Sequence, residues 1–286
     1  MRKPLNDQQV LEPLPINRSA TPFLKWAGGK SQLLTEIRSR LPRQFNRYFE
    51  PFLGGGAVFF DLAPKQAILS DANKDLINCY KVVRDQPAKL LKAISLMVRS
   101  EPEYYRWRKV EPGTLSKVEQ AARLIYLNKT CFNGLYRVNK SGQFNVPYGK
   151  TGTGTIANES IISRASATLK NAEIISEDYK KLLTGDSQPL QGDFVYLDPP
   201  YLPIGKFSDF KRYTKNFFHE QDHVQLAQLC GLLDSRKCLF MLSNSFHPRI
   251  TELYSRFRIE KVKANRFINC RGNGRGKINE LIIRNY

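Results

Sequence analysis

An α/β fold on a parallel, doubly wound sheet is predicted by three features of the 286-residue sequence. Apolar runs of strand length alternate with helical patterns, as a parallel sheet requires for its crossovers. A glycine turn, Leu53 to Gly56, follows one such run, and a second run ends in an acid, Asp71. A third, Phe194 to Leu197, ends in Asp198-Pro199-Pro200-Tyr201, at the edge where such sheets bind ligands.

Composition bounds the class. At 41% hydrophobic residues, the chain is long enough for one large domain or two smaller ones, with a core that needs no disulfide or metal support. No apolar run reaches the ~18 residues of a membrane span, and the N-terminal "MRKPLNDQQVLEPLPINRSATP" lacks the apolar centre of a signal peptide, so a cytoplasmic protein is expected. Cys79, Cys131, Cys230, Cys238 and Cys270 are scattered, without a C-x-x-C pair, and are expected to be reduced thiols with no zinc site. A charge of +19, from 45 Lys and Arg against 26 Asp and Glu, favours a polyanion as partner, nucleic acid above all. A basic enzyme of small molecules is the alternative.

In chain order, residues 1 to 20 are polar and proline-spaced and read as a flexible tail. "FLKWAGGKS" (23–31) has the look of a phosphate-binding loop, but Leu24 stands where the first glycine is required. The stretch is left as a turn leading into "SQLLTEIRSRL", an amphipathic helix capped by Ser31. "RYFEPF", "LGGG", "AVFFDLA" and "AILSDAN" then read as strand, turn, helix and strand. This is the layout of a nucleotide site, where glycines let the backbone approach a ligand and the acid takes ribose hydroxyls. A plain glycine-rich connection explains the same residues.

Residues 77 to 157 read as an inserted, mainly helical module. "DLINCYKVVRDQPAKLLKAISLMV" and "SKVEQAARLIYLNKT" have helical period, joined by "EPEYYRWRKVEPGT". The polar loop that follows, "CFNGLYRVNKSGQFNVPYGKTGTGT", mixes Arg137, Lys140 and Lys150 with Asn133, Asn139 and Asn145 and with Phe132, Tyr136, Phe144 and Tyr148. Phosphate contacts, base-edge hydrogen bonds and stacking surfaces are thus supplied together; a solvated loop with packed aromatics is the other reading. Helix and strand patterns return with "ESIISRASATLKN", "AEIISED", "DFVYLDPPY", "EQDHVQLAQLCGLL", "KCLFMLSNS" and "INELIIRNY". Two basic stretches, "GKFSDFKRYTKNFF" and "RFINCRGNGRGK", suit contact with nucleic acid or solvent equally.

The residues after Phe194 to Leu197 carry the chemistry. Two successive prolines have fixed φ and no N–H, so they stop the strand and hold their neighbours rigidly. The Asp198 carboxylate and the Pro199 carbonyl then form an acceptor pair for both hydrogens of a planar amino group, favouring pyramidalisation and a more nucleophilic nitrogen. Tyr201 suits stacking on the ring of a base taken out of its helix.

With "FLKWAGGK", "EPFLGGGAVFF", "SDAN", "NGLYRVNKSGQFNVPYG", "DPPY" and "LSNS" in this order, the chain resembles the Dam-like DNA adenine methyltransferases, including cognate methylases of restriction systems, from Phe23 to Tyr286. The resemblance implies a Rossmann-like methyltransferase sheet with an inserted, mainly helical target-recognition domain: residues 21–76 and 158–286 catalytic, 77–157 recognising the target. It implies S-adenosyl-L-methionine held by Trp26, Lys30, Phe52, Gly54, Gly55, Gly56, Asp71 and Asp198, with Asp198, Pro199, Pro200 and Tyr201 at the flipped adenine and no metal. Double-stranded DNA would meet Phe132, Asn133, Arg137, Asn139, Pro147, Arg271, Arg275 and Lys277, with Arg137 on a guanine of GATC, and the enzyme would act as a monomer. A methyltransferase of RNA or other amino groups would share the cofactor site, although the protein-amide type has asparagine where Asp198 stands. An inert DNA-binding protein would explain the charge but not the intact D-P-P-Y.

Overall fold

The computed structural model describes residues 20–139, 141–150, 154–203, 218–265 and 277–286. Its frame is a sheet of β1 (Tyr48–Glu50), β2 (Ala67–Ser70), β3 (Ala172–Ile175), β4 (Phe194–Leu197), β5 (Leu239–Ser245), β6 (Arg258–Asn265) and β7 (Lys277–Arg284). The strands lie side by side in the order β3-β2-β1-β4-β5-β7-β6. The first five are parallel. From β1 the chain steps outward to β2 and β3, then returns to lay β4 on the other side of β1. The order therefore reverses between β1 and β4, and the crevice beyond their carboxyl ends is the position that favours a ligand.

Packing explains why these runs become strands. β1, β2 and β4 are buried at every residue, and strands covered on both faces are continuous apolar runs rather than alternating ones. Their side chains still alternate between two cores. Tyr48, Leu69, Phe194 and Tyr196 join one apolar cluster, and Phe49, Ile68, Val195 and Leu197 join the other. Each fully buried large apolar side chain contributes roughly 1.5–3 kcal/mol.

Helices cover both faces. On the first lie α1 (Leu34–Arg38), α2 (Ala57–Leu62), α3 (Lys74–Asp85), α4 (Pro87–Ser95), α5 (Glu101–Lys109), α6 (Lys117–Thr130) and α7 (Glu159–Leu169). On the second lie α8 (Tyr179–Thr184), α9 (Glu220–Ser235) and α10 (Pro248–Leu253). No described helix is long and apolar enough to cross a membrane. The four described cysteines are free and buried; Cys270 lies outside the described residues.

Four sequence expectations change. The sheet is mixed, because β7 runs antiparallel to both β5 and β6. β6 enters beside it as a Lys-bearing edge strand, with exposed Lys261 and Lys263 flanking buried Val262, a pattern that lacks the continuous apolar run of the central strands. Ser31 caps nothing: residues Lys30–Gln32 form a 3-10 turn, and α1 starts after Leu33 without a side-chain cap. "EPEYYRWRK" is not a joining segment but α5, whose Ser100 hydroxyl accepts the Glu103 N–H at 3.3 Å. Ala20, expected in the tail, is 5% exposed and packs in the core.

The segment 77–157 holds α4, α5, α6 and a hairpin, but its expected start falls inside α3. Asn73 caps that helix, accepting the N–H groups of Asp75 and Leu76 at 3.1 Å each. Buried residues of α3, α6 and the hairpin share one apolar cluster with β1 and β2.

Candidate active site

Three segments converge beyond the carboxyl ends of β1 and β4. The first is the turn after β1. Leu53 N–H donates to the Ser70 carbonyl at 2.9 Å, tying the turn to β2, and Gly56 takes φ +65°, a left-handed value that suits glycine, as it opens α2. Gly54, at φ +48°, lies so close to Trp26 that a Cβ there would stand 2.9 Å from the indole. Trp26 stacks in turn on Tyr136, with ring centroids 5.0 Å apart.

Asp71 closes this cradle. Its Oδ2 accepts the Gly54 N–H at 3.0 Å and its Oδ1 the Asn73 N–H at 2.9 Å. A carboxylate offers about four lone-pair sites, so both oxygens keep acceptor capacity for neighbouring hydroxyls. Burial raises the carboxyl above its ordinary pKa, and the two N–H groups oppose that rise. At the other end of the turn, Phe52 packs against Tyr179 at 5.0 Å and Phe218 at 5.9 Å, an aromatic wall whose last two members the sequence reading did not name.

The second segment ends β4. Asp198 Oδ1 receives the Lys30 ammonium at 2.7 Å and the Ser243 hydroxyl at 2.8 Å. Lys30, expected at a cofactor's polar end, is 6% exposed and donates also to the Gly28 carbonyl at 2.6 Å. Its ammonium stands 4.7 Å from the centroid of the Tyr201 ring, whose hydroxyl donates to Glu280 Oε2 at 2.7 Å. Just beyond, Leu202 N–H donates to Asn244 Oδ1 at 3.3 Å, and the Ser245 hydroxyl donates to the Leu202 carbonyl at 2.7 Å. "LSNS" at the end of β5 thus holds both sides of the D-P-P-Y stretch.

Beneath this cluster lies Glu50. It is buried at the end of β1 and accepts the Tyr48 hydroxyl at 2.8 Å. Burial pushes its carboxyl up to about 8, with Asp198 adding to the rise and Tyr48 opposing it. It opens the "EPFLGGGAVFF" motif, yet no role was expected of it. Among the described residues no group of three or more His, Cys, Asp or Glu is arranged to hold a metal ion.

The third segment is the hairpin after α6, closed by bridges between Cys131 and Tyr148 and between Val138 and Phe144. Buried Asn128 clamps it to the irregular segment that precedes α1: its amide donates to the carbonyls of Lys25 at 2.7 Å and Gly134 at 3.2 Å, while its Oδ1 accepts Lys25 N–H at 2.9 Å. Phe132, 52% exposed, donates its N–H to the carbonyl of exposed Pro147 at 2.9 Å, and Asn133 beside it takes φ +55°. These three residues are brought together at the open end. Arg137 is held by Asn145 through Nε at 2.8 Å and Nη2 at 3.3 Å. Asn139 folds into the tip, accepting the Ser141 and Gln143 N–H groups at 3.0 and 2.9 Å. Lys277 opens β7 in register with Asn265; Arg271 and Arg275 lie outside the described residues.

A mixed seven-stranded sheet with a glycine turn after β1 and acids after β2 and β4 defines a Rossmann-like methyltransferase. The chain belongs to the family described as D12 class N6 adenine-specific DNA methyltransferase, whose model matches residues 26–268. It is 42% identical over 273 residues to the type II methyltransferase M1.LlaDCHI of Lactococcus lactis subsp. cremoris, covering 93% of this chain and 95% of that protein. Against the type II methyltransferase M.MjaIII of Methanocaldococcus jannaschii it is 41% identical, over 93% of this chain and 99% of the relative. The DNA adenine methylase of Escherichia coli K12 is 32% identical, with 91% and 93% covered. The family implies S-adenosylmethionine as methyl donor.

Proposed function

We propose that the protein methylates the N6 amine of an adenine turned out of duplex DNA, in the sequence GATC, with S-adenosylmethionine as donor. The observation that supports this most directly is the setting of Asp198. It ends β4 at the reversal of strand order, is backed by Ser243, and stands beside Tyr201 and across the crevice from Asp71.

The residues present fit the donor. Gly54 and Gly55 leave a turn on which a side chain has no room against Trp26, and Asp71 retains acceptor capacity for vicinal hydroxyls. Asp71 would take the ribose, Gly54 to Gly56 the methionine portion, and Phe52 would give the base an apolar wall. When bound, S-adenosylmethionine supplies a methyl group activated by its sulfonium.

This chain's residues do the rest by position and charge. Asp198 and the Pro199 carbonyl accept the two amine hydrogens, and Pro200 keeps that geometry rigid. Tyr201 holds the base by its ring. The pairing of Lys30 with Asp198 keeps the carboxylate fixed before a base arrives. On the hairpin, Phe132, Asn133 and Pro147 meet the DNA where the base leaves, and Arg137 contacts guanine with its planar fork. Asn139 shapes the tip, and Arg271, Arg275 and Lys277 take phosphates, as a monomer works on one strand at a time.

Incubation with tritiated S-adenosylmethionine and two duplexes, one containing GATC and one with that site scrambled, tests the reading after digestion to nucleosides. The expected result is label in N6-methyladenine from the first duplex only. Equal label in both discards GATC and the assignment of Arg137; no label in either, despite donor binding, overturns the reading as a whole.

A further inference from the structure

Glu280 has no place in the D-P-P-Y motif, yet its carboxylate receives the hydroxyl of that motif's tyrosine. The O···O distance is 2.7 Å, and the two residues are 79 positions apart in sequence. In a chain with 19 more cations than anions, Glu280 makes no ion pair among the described residues. Its side chain is half-buried on β7, where its backbone pairs with Ser245 on one side and Val262 on the other. A strand paired on both sides therefore presents the acceptor, and a hydrogen bond to a carboxylate is about twice as strong as one between neutral groups.

The other parts of the neighbourhood act on the same ring. The backbone just after Tyr201 is anchored at Leu202 by Asn244 and Ser245, and the Lys30 ammonium stands 4.7 Å from the ring centroid. With the backbone anchored behind it and the phenol oxygen tied at its far end, the side chain has both ends of its long axis held.

Resting on the reading of Tyr201 as the platform for the extruded base, we propose that Glu280 is the positioning residue for that platform: by holding the phenol oxygen it fixes where the Tyr201 side chain lies before DNA binds, so that the base finds a preformed surface. Loss of the carboxylate leaves the ring present but removes the acceptor that holds its far end. The effect falls on capture of the base and on the rate of transfer, and not on binding of the donor.

The test is a cycle of four full-length proteins: wild type, Glu280→Gln, Tyr201→Phe and the double variant. Donor affinity is read by calorimetry, single-turnover methylation by tritium transfer, and base capture by the fluorescence of 2-aminopurine at the target position. Glu280→Gln is expected to lose about tenfold in the single-turnover rate, with altered 2-aminopurine emission and unchanged donor affinity. In the Tyr201→Phe background, which lacks the hydroxyl, the same substitution is expected to change nothing further. An equal loss in both backgrounds, or no loss from Glu280→Gln alone, overturns the proposal. The fluorescence measurement decides it even if no methyl transfer is found, an outcome that would instead strike at the function proposed above.

Discussion

Lys30 and Asp198 form a 2.7 Å ion pair that joins the loop before α1 to the end of β4, directly in front of the Tyr201 ring. The pair fills with one cation the acceptor that the target amine is proposed to use. Entry of a base therefore requires the carboxylate to exchange or share its partner, and the residues around it determine how readily that happens.

Asp198→Ala removes the acceptor and leaves Ser243 and Lys30 without it. Methyl transfer is expected to fall on the order of 100- to 1,000-fold, the cost of deleting one preorganised polar group at a reacting centre. Far-UV circular dichroism should match wild type. Activity within about threefold of wild type, on the scale where tenfold is 1.4 kcal/mol, rules out the acceptor role.

Gly54→Ala tests the cradle. A Cβ at this position would lie 2.9 Å from Trp26, on a residue with φ +48°. The substitution is expected to weaken binding of S-adenosylmethionine at least tenfold and to lower stability by about 1–3 kcal/mol. Calorimetric titration and thermal melting measure both, and unchanged values in both would show that the turn has room to spare.

Glu50 predicts a pH dependence of stability. Its carboxyl titrates at about 8 in the folded protein against an ordinary value of 4.5, so the folded state holds the extra proton. A raised folded value means that stability is fully present at low pH and is lost as pH rises from 4.5 through about 8. Glu50→Gln keeps an acceptor for the Tyr48 hydroxyl but cannot ionise. The wild-type loss across that window, on the order of 5 kcal/mol, should largely vanish in the variant. Denaturant midpoints at several pH values give the comparison, and parallel curves for the two proteins would count against the buried acid as the cause.

Arg137→Ala separates base reading from phosphate clamping. Loss of a bidentate guanine contact costs about 1–3 kcal/mol of discrimination at one base pair. The ratio of kcat/KM between GATC and a duplex altered at the guanine should therefore collapse toward one. A uniform loss across all duplexes would assign the guanidinium to the backbone instead. Asn145→Ala should move the ratio in the same direction by a smaller amount, since Asn145 orients Arg137 through Nε.

The centre of the sheet was legible because its strands declare themselves. β1, β2 and β4 are buried throughout, which makes them largely apolar runs, and β1 is followed by the glycine turn, β2 by Asp71 and β4 by Asp198. The glycine turn, Asp71 and Asp198 could be placed at one edge on that basis alone. Other parts were hidden for physical reasons. α5 is crowded with aromatic and charged residues that mask its period, and only Ser100 and the acids of its first turn announce it. β6 alternates lysines with buried positions on an edge, and its neighbour β7 owes its antiparallel setting to a pairing that no local pattern encodes. The long-range partners were the least visible: Ser243 on Asp198, Glu280 on Tyr201 and Lys30 on Asp198 are contacts that only the closed sheet creates. The exposed grouping of Phe132, Asn133 and Pro147 likewise depends on the bridge between Cys131 and Tyr148.

The interleaving of β7 between β5 and β6 sets a timetable for the newly made protein. On a ribosome, every other described strand emerges first, yet among those strands β6 has no neighbour in the sheet until β7 arrives to join it to β5. Glu280 emerges with that strand. A nascent chain therefore carries all the residues of its D-P-P-Y segment well before Glu280 arrives to meet Tyr201, and the hydrogen bond between them forms only once β7 has joined β5.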